Sequence, residues 1–388
     1  MRKNVIDNDN ELISLNKSWG GVSQSEKISV VYATNTAIHH TKNLCGAFIK
    51  NEAVEDFHLI ITESLNEEYI NLGLSEDNDE SYIIDARKNK QAAIDAINNA
   101  DLMLGTYYVN DLMKDRIAAG KLTFIVSERI FKPYSKNFLI NAAKNFARFF
   151  KFKLILSKFH YFNENVYFLL IGSHAPGDYI KLGVKKEHIL QFGYFPALNE
   201  TERKNYFADG IIHLLWVGRF VSWKHPEYAV RLCKYLTQKG YRVNLKIVGG
   251  GLEEEKLKQE AQGCENIQFL GGLPTEKVRK IMSESDIFLF TSSEAEGWGL
   301  VLSEAMSEGT CVIASETAGA TKELIKDGTN GKIYSLDSLT ELKAVTEEII
   351  NHEEEISRLG QEAQKTINEK WNAAAAVENL IKKFVLDV

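Results

Sequence analysis

Two carboxylates, Glu296 and Glu304, stand eight positions apart in "TSSEAEGWGLVLSEAMSEGT" (291–310), with two glycines and an apolar run between them. The pattern predicts a strand ending near Thr291, a turn through Gly297 and Gly299, and a short helix beginning near Gly299. The start of such a helix offers unpaired N–H groups and the positive end of its dipole, a setting that favours an anion. Glycines at 297 and 299 let backbone approach a ligand where a side chain would not fit. Eight helical residues rise only about 12 Å, and the span grows if Glu296 is still extended. That length suits a nucleotide sugar: one carboxylate on sugar hydroxyls, the other on ribose hydroxyls, a diphosphate over the helix start between them. Carboxylates repel phosphate, so they must sit to either side of it. A plainer account also fits, in which Glu304 answers the helix dipole and Glu296 is a turn residue.

A second stretch, "WVGRFVSWKHPEYA" (216–229), ends a strand at Gly218 and places Arg219 and Lys224 in a loop before Pro226. Proline suits the first helical turn, where its missing N–H costs nothing. Two cations at a strand's carboxyl end suit a diphosphate, since Arg forks onto two oxygens and Lys supplies a point charge. Taken alone, they are equally two surface cations on a loop.

The elements that must position these groups come in two series. β-rich runs at 28–33, 57–62, 81–85, 101–106, 121–127 and 165–172 alternate with helical patterns around 40–50, 88–99, 109–119 and 136–150. The alternation begins afresh with strands at 211–218, 243–250, 266–272, 286–292 and 310–315 and helices at 226–239, 252–262, 275–284 and 299–308. Strands rich in Val, Ile, Leu and Phe without strict alternation imply a parallel sheet covered on both faces. The expected fold is α/β, two Rossmann-like doubly wound domains facing each other across a cleft, with ligands at the carboxyl ends of the strands. The division is 1–200 (with 1–27 a loose leader), 201–370, and a helical tail, 371–388, crossing back to the first domain.

Composition narrows the class. A chain of 388 residues is too long for one ordinary core, and 44% hydrophobic with 26% charged residues is ordinary for a globular protein. A formal charge of -7 argues against wholesale nucleic-acid binding. The four cysteines, Cys45, Cys233, Cys264 and Cys311, are far apart and read as reduced thiols rather than a disulfide framework or zinc site. No secretory signal or bilayer-spanning run is evident, so the expected location is cytoplasmic, with peripheral contact to the inner face of a membrane left open. The acidic runs "DNDN" (7–10) and "EDNDE" (76–80) read as solvated loops, and no metal is expected.

Taken in order, "GR" with Lys224 downstream, "VGGG" (248–251), "FLGGLPTEKV" (269–278), "EGWGLVLSEAM" (296–306) and "GATKELIKDGTNGKIY" (319–334) resemble family-four glycosyltransferases of GT-B fold. The likeness covers roughly 211–335 and extends to the first half only in outline. It implies a retaining, metal-independent transferase that needs no cofactor beyond its donor substrate, a nucleotide-diphosphate sugar. Carried over by position, Arg219 and Lys224 neutralise the diphosphate, Glu296 contacts donor-sugar hydroxyls and Glu304 the ribose. Backbone near Gly299, Leu300 and Val301 holds phosphate, Gly250 and Gly251 line the nucleotide side, and Leu273 lies near the base. The family's chemistry implies an oxocarbenium-like transition state, with cations on the departing oxygens as the main electrostatic assistance. The first domain would then bind the acceptor.

The first half departs from that pattern. The turn after the first strand reads "TNTAIHHTKNLCG", with Gly46 late, and the strand "FIVSERIF" continues into Ser127, Glu128 and Arg129 where many members carry a histidine. Glu128 and Arg129 are therefore expected to face the donor sugar or the acceptor. His39 and His40 are acceptor-side candidates or loop and capping histidines. His174 and Asp178, in "SHAPGDYIKLG" (173–183), border the cleft or cap a helix. Finally, 135–162 sets Lys136, Lys144, Arg148, Lys151, Lys153 and Lys158 among many phenylalanines. It reads as an amphipathic helix for an anionic membrane surface or as a core-facing helix with a basic outer side. The functional expectation is a hexosyltransferase, with UDP the favoured nucleotide and a glycan or lipid-linked acceptor, in surface polysaccharide or glycolipid synthesis. The alternatives are a non-catalytic GT-B scaffold or nucleotide-sugar-binding subunit, or a sugar-nucleotide epimerase or a phosphorylase of the same shape.

Overall fold

The computed structural model describes residues 27–36, 39–65, 81–133, 138–200, 206–207, 209–336 and 338–386. The runs 7–10 and 76–80 and Lys136 lie outside them.

The first domain is built on seven parallel strands in the order β3-β2-β1-β4-β5-β6-β7. They are β1 (Ile28–Thr34), β2 (Val54–Ile61), β3 (Ile83–Asp85), β4 (Leu102–Gly105), β5 (Thr123–Glu128), β6 (Val166–Ile171) and β7 (Ile189–Phe192). β6 is buried along its whole length, as a strand covered on both faces must be. The second domain repeats the scheme with six strands in the order β10-β9-β8-β11-β12-β13. These are β8 (Ile212–Val217), β9 (Val243–Val248), β10 (Ile267–Gly271), β11 (Ile287–Phe290), β12 (Cys311–Ser315) and β13 (Lys332–Tyr334). All pairings in both sheets are parallel. The winding reverses between β1 and β4 and between β8 and β11, the switch points where doubly wound sheets open a crevice.

Two strands escape the sequence reading. β7 and β13 are edge strands of four and three residues, too short and too mixed in burial to show a pattern. The basic helix runs Phe138–Lys158, eight residues past the expected end at 150.

Helix Glu353–Glu369 packs on β12 and on helix Leu300–Ser307. Asn372 then caps a new helix, Ala373–Ile381, by accepting from the Ala375 N–H at 2.9 Å. That helix lies against His39–Lys50 of the first domain. Beyond it Phe384 sets its ring edge-on to Phe124 (4.9 Å) and Tyr167 (4.7 Å). One apolar cluster consequently runs from Phe48 and Phe124 through Trp298 and Ala305 to Ala363.

Glycines line one contact of the two halves, Gly172 of the first against Gly297 and Gly319 of the second. A Cβ on Gly172 or on Gly319 would overlap the carbonyl oxygen of Gly297. Beside this contact the Ser173 N–H donates to Gly319 O (3.1 Å), and His174 Nε2 meets Thr317 O (2.8 Å).

Candidate functional site

The carboxyl ends of β8 and β11 bring the sequence-predicted groups together. After β8 the chain turns through Gly218 and Arg219 and forms one 3-10 turn, Ser222–Lys224. His225 follows at φ 48°, ψ 50°, and Pro226 opens helix Pro226–Gln238. Thr291, just past β11, fixes this loop: it accepts from Trp216 Nε1 (2.9 Å), and its hydroxyl lies 2.6 Å from Lys224 O and 3.0 Å from His225 O. The result is an ion pair. Lys224 Nζ donates to Glu296 Oε2, with only 12% and 15% of the two side chains exposed. Ser292 Oγ donates to the same oxygen at 3.1 Å. Burial alone would push the Glu296 carboxyl up; the Lys224 ammonium, the Ser292 hydroxyl and the nearby Lys132 charge outweigh it and hold the group below its ordinary value.

The glycines do the work that the sequence assigns to their type. Gly249 and Gly251 adopt φ 129° and 149°, and a Cβ on Gly251 would lie 2.8 Å from Phe220 O. Gly250 O accepts from the Phe220 N–H at 2.8 Å. The "VGGG" loop is thus pressed backbone to backbone onto the loop that carries Arg219, which is exposed. Gly299, at φ 85°, precedes helix Leu300–Ser307 and gives it no side-chain cap. The first-turn amides of Leu300 and Val301 therefore receive no capping oxygen from it. Glu304 is buried on this helix. Leu273 is half-buried in the loop after β10, against the core.

From the first domain, Glu128 at the end of β5 reaches the same place. Its Oε2 accepts from Lys132 Nζ (2.7 Å) and its Oε1 from the Tyr194 hydroxyl (3.1 Å). The carboxylate lies against Gly297, where a Cβ would overlap it. Sequence reasoning found Glu128 but missed Lys132 and Tyr194, since nothing in their local pattern marks them. Arg129 turns elsewhere: it donates to Glu294 O (2.8 Å) and Phe131 O (2.7 Å), bracing one domain on the other. Asp178 accepts from the N–H groups of Ile130 and Phe131, each at 2.9 Å, and so fixes that loop rather than a helix start. His174 caps no helix with its side chain and instead links the domains. His39 and His40 open helix His39–Lys50; their side chains lie outside the described residues. Among the described residues, no group of three or more His, Cys, Asp or Glu is arranged to hold a metal ion.

The pattern is a line of alternating charge across the crevice: Lys224, Glu296, Lys132, Glu128. Carboxylates accept from paired hydroxyls and ammonium groups answer phosphate, so the line suits a polyhydroxylated, phosphorylated ligand.

Comparison with known proteins points the same way. The family described as "Glycosyl transferases group 1" matches residues 199–366. The chain is 32% identical over 179 residues to an uncharacterized glycosyltransferase of Methanocaldococcus jannaschii, 45% of each protein. It is 27% identical over 195 residues to the amylovoran biosynthesis glycosyltransferase AmsK of Erwinia amylovora, 47% of each. These alignments span just under half the length of the curated relatives. Among solved structures, Anabaena HepE in complex with UDP and glucose superposes with TM-score 0.64 at 15% identity, over 92% of this chain and 100% of that one. The lipopolysaccharide outer core galactosyltransferase WaaB gives 0.66 at 16%, over 93% and 100%. At such identities these structures establish the fold, which is GT-B.

Proposed function

We propose that this chain, a GT-B protein whose residues 199–366 form a group 1 glycosyltransferase domain, is a retaining hexosyltransferase using a nucleotide-diphosphate sugar. The observation that carries the reading is the half-buried Lys224–Glu296 pair at the carboxyl ends of β8 and β11. In this reading Lys224 and Arg219 neutralise the departing diphosphate, assisted by the Leu300 and Val301 amides. Glu296 orders the sugar through its hydroxyls, and Glu304 holds the ribose. Gly250 and Gly251 line the nucleotide and Leu273 flanks the base. Bond breaking to the leaving phosphate builds positive charge on the sugar and negative charge on the nucleotide, so fixed cations on the latter supply most of the rate. The roles of cation and base pairing fall to side chains, with no metal. UDP is the favoured nucleotide, in keeping with the UDP complexes of fold relatives. The acceptor is a glycan or lipid-linked glycan of a surface polysaccharide or glycolipid, and Glu128 faces it or the donor sugar.

Peripheral contact with an anionic membrane belongs to the same reading. Helix Phe138–Lys158 contains no acidic residue, and it exposes Leu139, Phe146, Phe150 and Leu154 beside Lys144, Lys151 and Lys158. Lys153 is occupied with Leu182 O (2.7 Å) and the Phe162 ring, so Lys144 and Lys151 are the better probes. Among the described residues no helix is long and apolar enough to cross a membrane. Flotation with anionic liposomes should weaken on reversing Lys144 and Lys151 to Glu; undiminished flotation removes the membrane contact.

The activity itself is tested by titrating the full chain with UDP, GDP and their sugars and following nucleotide release with and without acceptor glycans. Binding with turnover supports the transferase. Binding without any sugar release or transfer supports a nucleotide-sugar-binding scaffold instead.

A further inference from the structure

Lys224 faces two demands on a single positive charge. Its ammonium is bonded to Glu296, yet the donor-site reading asks it to neutralise a diphosphate. A carboxylate as enclosed as Glu296 cannot be left without a cation, because an unpaired buried charge is among the costliest features a fold can carry. A second cation is already in place. Lys132 sits in the loop after β5, bonded to Glu128 Oε2 at 2.7 Å. The Glu128 carboxylate in turn rests on Gly297, the residue next to Glu296.

We propose that Lys132 is a positioning residue: it holds the Glu296 carboxylate in place across the domain boundary while Lys224 turns to the diphosphate. The inference rests on the donor-site reading and adds a residue that the sequence pattern does not mark. Glu128 accepts from Lys132 Nζ at 2.7 Å and is itself fixed by the Tyr194 hydroxyl at 3.1 Å, so the ammonium is anchored beside the crevice. Its charge already contributes to keeping Glu296 ionised. The groups acting on Glu296 are Lys224 after β8 and Ser292 after β11, which bond it, and Lys132 after β5, which reaches it by charge; Glu128 bonds to Lys132, and Tyr194 to Glu128, behind it. Arg129 is turned away, its guanidinium on Glu294 O, Phe131 O and, at 3.9 Å, the Asp178 carboxylate. Because Lys132 and Glu296 belong to different domains, the arrangement also makes the sugar pocket complete only when the domains are closed.

Two measurements on the full chain test this. The first needs no donor: carboxyl-carbon NMR of Glu296 in K224M and in K224M/K132M. With Lys224 gone, Lys132 should keep Glu296 ionised, and the double variant should titrate at least one pH unit higher than the single. Equal titration in the two overturns the proposal. The second compares K132M and K132R in turnover and UDP titration. K132M should lower kcat ten- to a hundredfold with UDP affinity within twofold, and K132R should restore most of the rate. A K132M enzyme with wild-type kcat overturns the proposal, as does a loss of UDP affinity matching the loss of kcat, which would make Lys132 a phosphate ligand. Thermal melts establish that each variant folds, and K132Q replaces K132M if it does not. A wild-type chain that neither binds nor cleaves nucleotide sugars defeats the donor-site reading, while the NMR comparison still decides whether Lys132 holds Glu296.

Discussion

Replacing Glu296 by Gln separates the three things its carboxylate does. The change keeps the shape and removes the charge, so Lys224 loses its partner while Ser292 Oγ can still donate to the amide oxygen. Two unit charges about 3 Å apart attract by roughly 5 kcal/mol at an effective dielectric of about 20, before desolvation is counted. Most of that is spent on keeping the pair out of water. A net loss of about 1–3 kcal/mol in stability is expected, the lower end being favoured because both side chains keep some exposure. The sign with pH follows from the depressed carboxyl. Its contribution is fully present above the ordinary carboxylate value and fades as pH falls through the lower folded value, so wild type and E296Q should converge in acid. Function moves differently. Freed of its carboxylate, Lys224 can give its whole charge to a diphosphate, so UDP affinity should hold or rise several-fold. Transfer should fall a hundredfold or more, because the hydroxyl contacts of the sugar are lost. The assays are differential scanning fluorimetry from pH 4 to 8, UDP titration calorimetry and nucleotide release. A variant that turns over normally, or that loses UDP affinity in step with turnover, refutes the division of labour between Lys224 and Glu296.

Three further outcomes are expected. Burial pushes the Glu323 carboxyl up to about 7 from an ordinary 4.5, so its stabilising effect is complete below 4.5 and lost as pH rises through 7; E323Q should therefore gain up to about 3 kcal/mol over wild type at pH 8 and nothing at pH 4, read by chemical denaturation at both. Arg116 is buried and donates to the carbonyls of Ile97, Ala100, Asp101 and Leu122, so R116M should cost about 3–5 kcal/mol by orphaning them, seen as a lowered melting temperature of the first domain. A methyl group on Gly172, at φ 85°, would overlap Gly297 O of the other domain; G172A should keep both domain folds by circular dichroism yet lose tenfold or more in turnover, with a larger radius of gyration in solution scattering.

The second domain was largely legible because its cues are local. Gly299 stands between a strand and a helix, and its φ of 85° is the conformation that glycine tolerates there. Lys224 and Glu296 could each be read as strand-end groups, and the parallel pairing of β8 with β11 places them side by side. Lys132 and Tyr194 were not legible: each sits in an irregular loop, and only the packing of two domains gives either a role. Gly172 and Gly319 likewise look like ordinary loop glycines until Gly297 O arrives between them. The short edge strands β7 and β13 lack the length to show periodicity. The sequence offered border-of-cleft or capping roles for His174; its side chain caps no helix and bonds to Thr317 O of the other domain.

The line Lys224, Glu296, Lys132, Glu128 carries two positive and two negative charges, so it presents no net charge to an arriving anion. A diphosphate must therefore be drawn by what lies outside the line: exposed Arg219 and the open first turn of helix Leu300–Ser307. Only after that capture does Lys224 have reason to leave Glu296, and only a closed crevice keeps Lys132 near enough to replace it. On the proposed donor-site reading, sugar ordering is then conditional on diphosphate binding and on domain closure together. A free sugar, which brings hydroxyls but no phosphate, would leave the Lys224–Glu296 pair intact, and for that reason should bind far more weakly than the nucleotide alone.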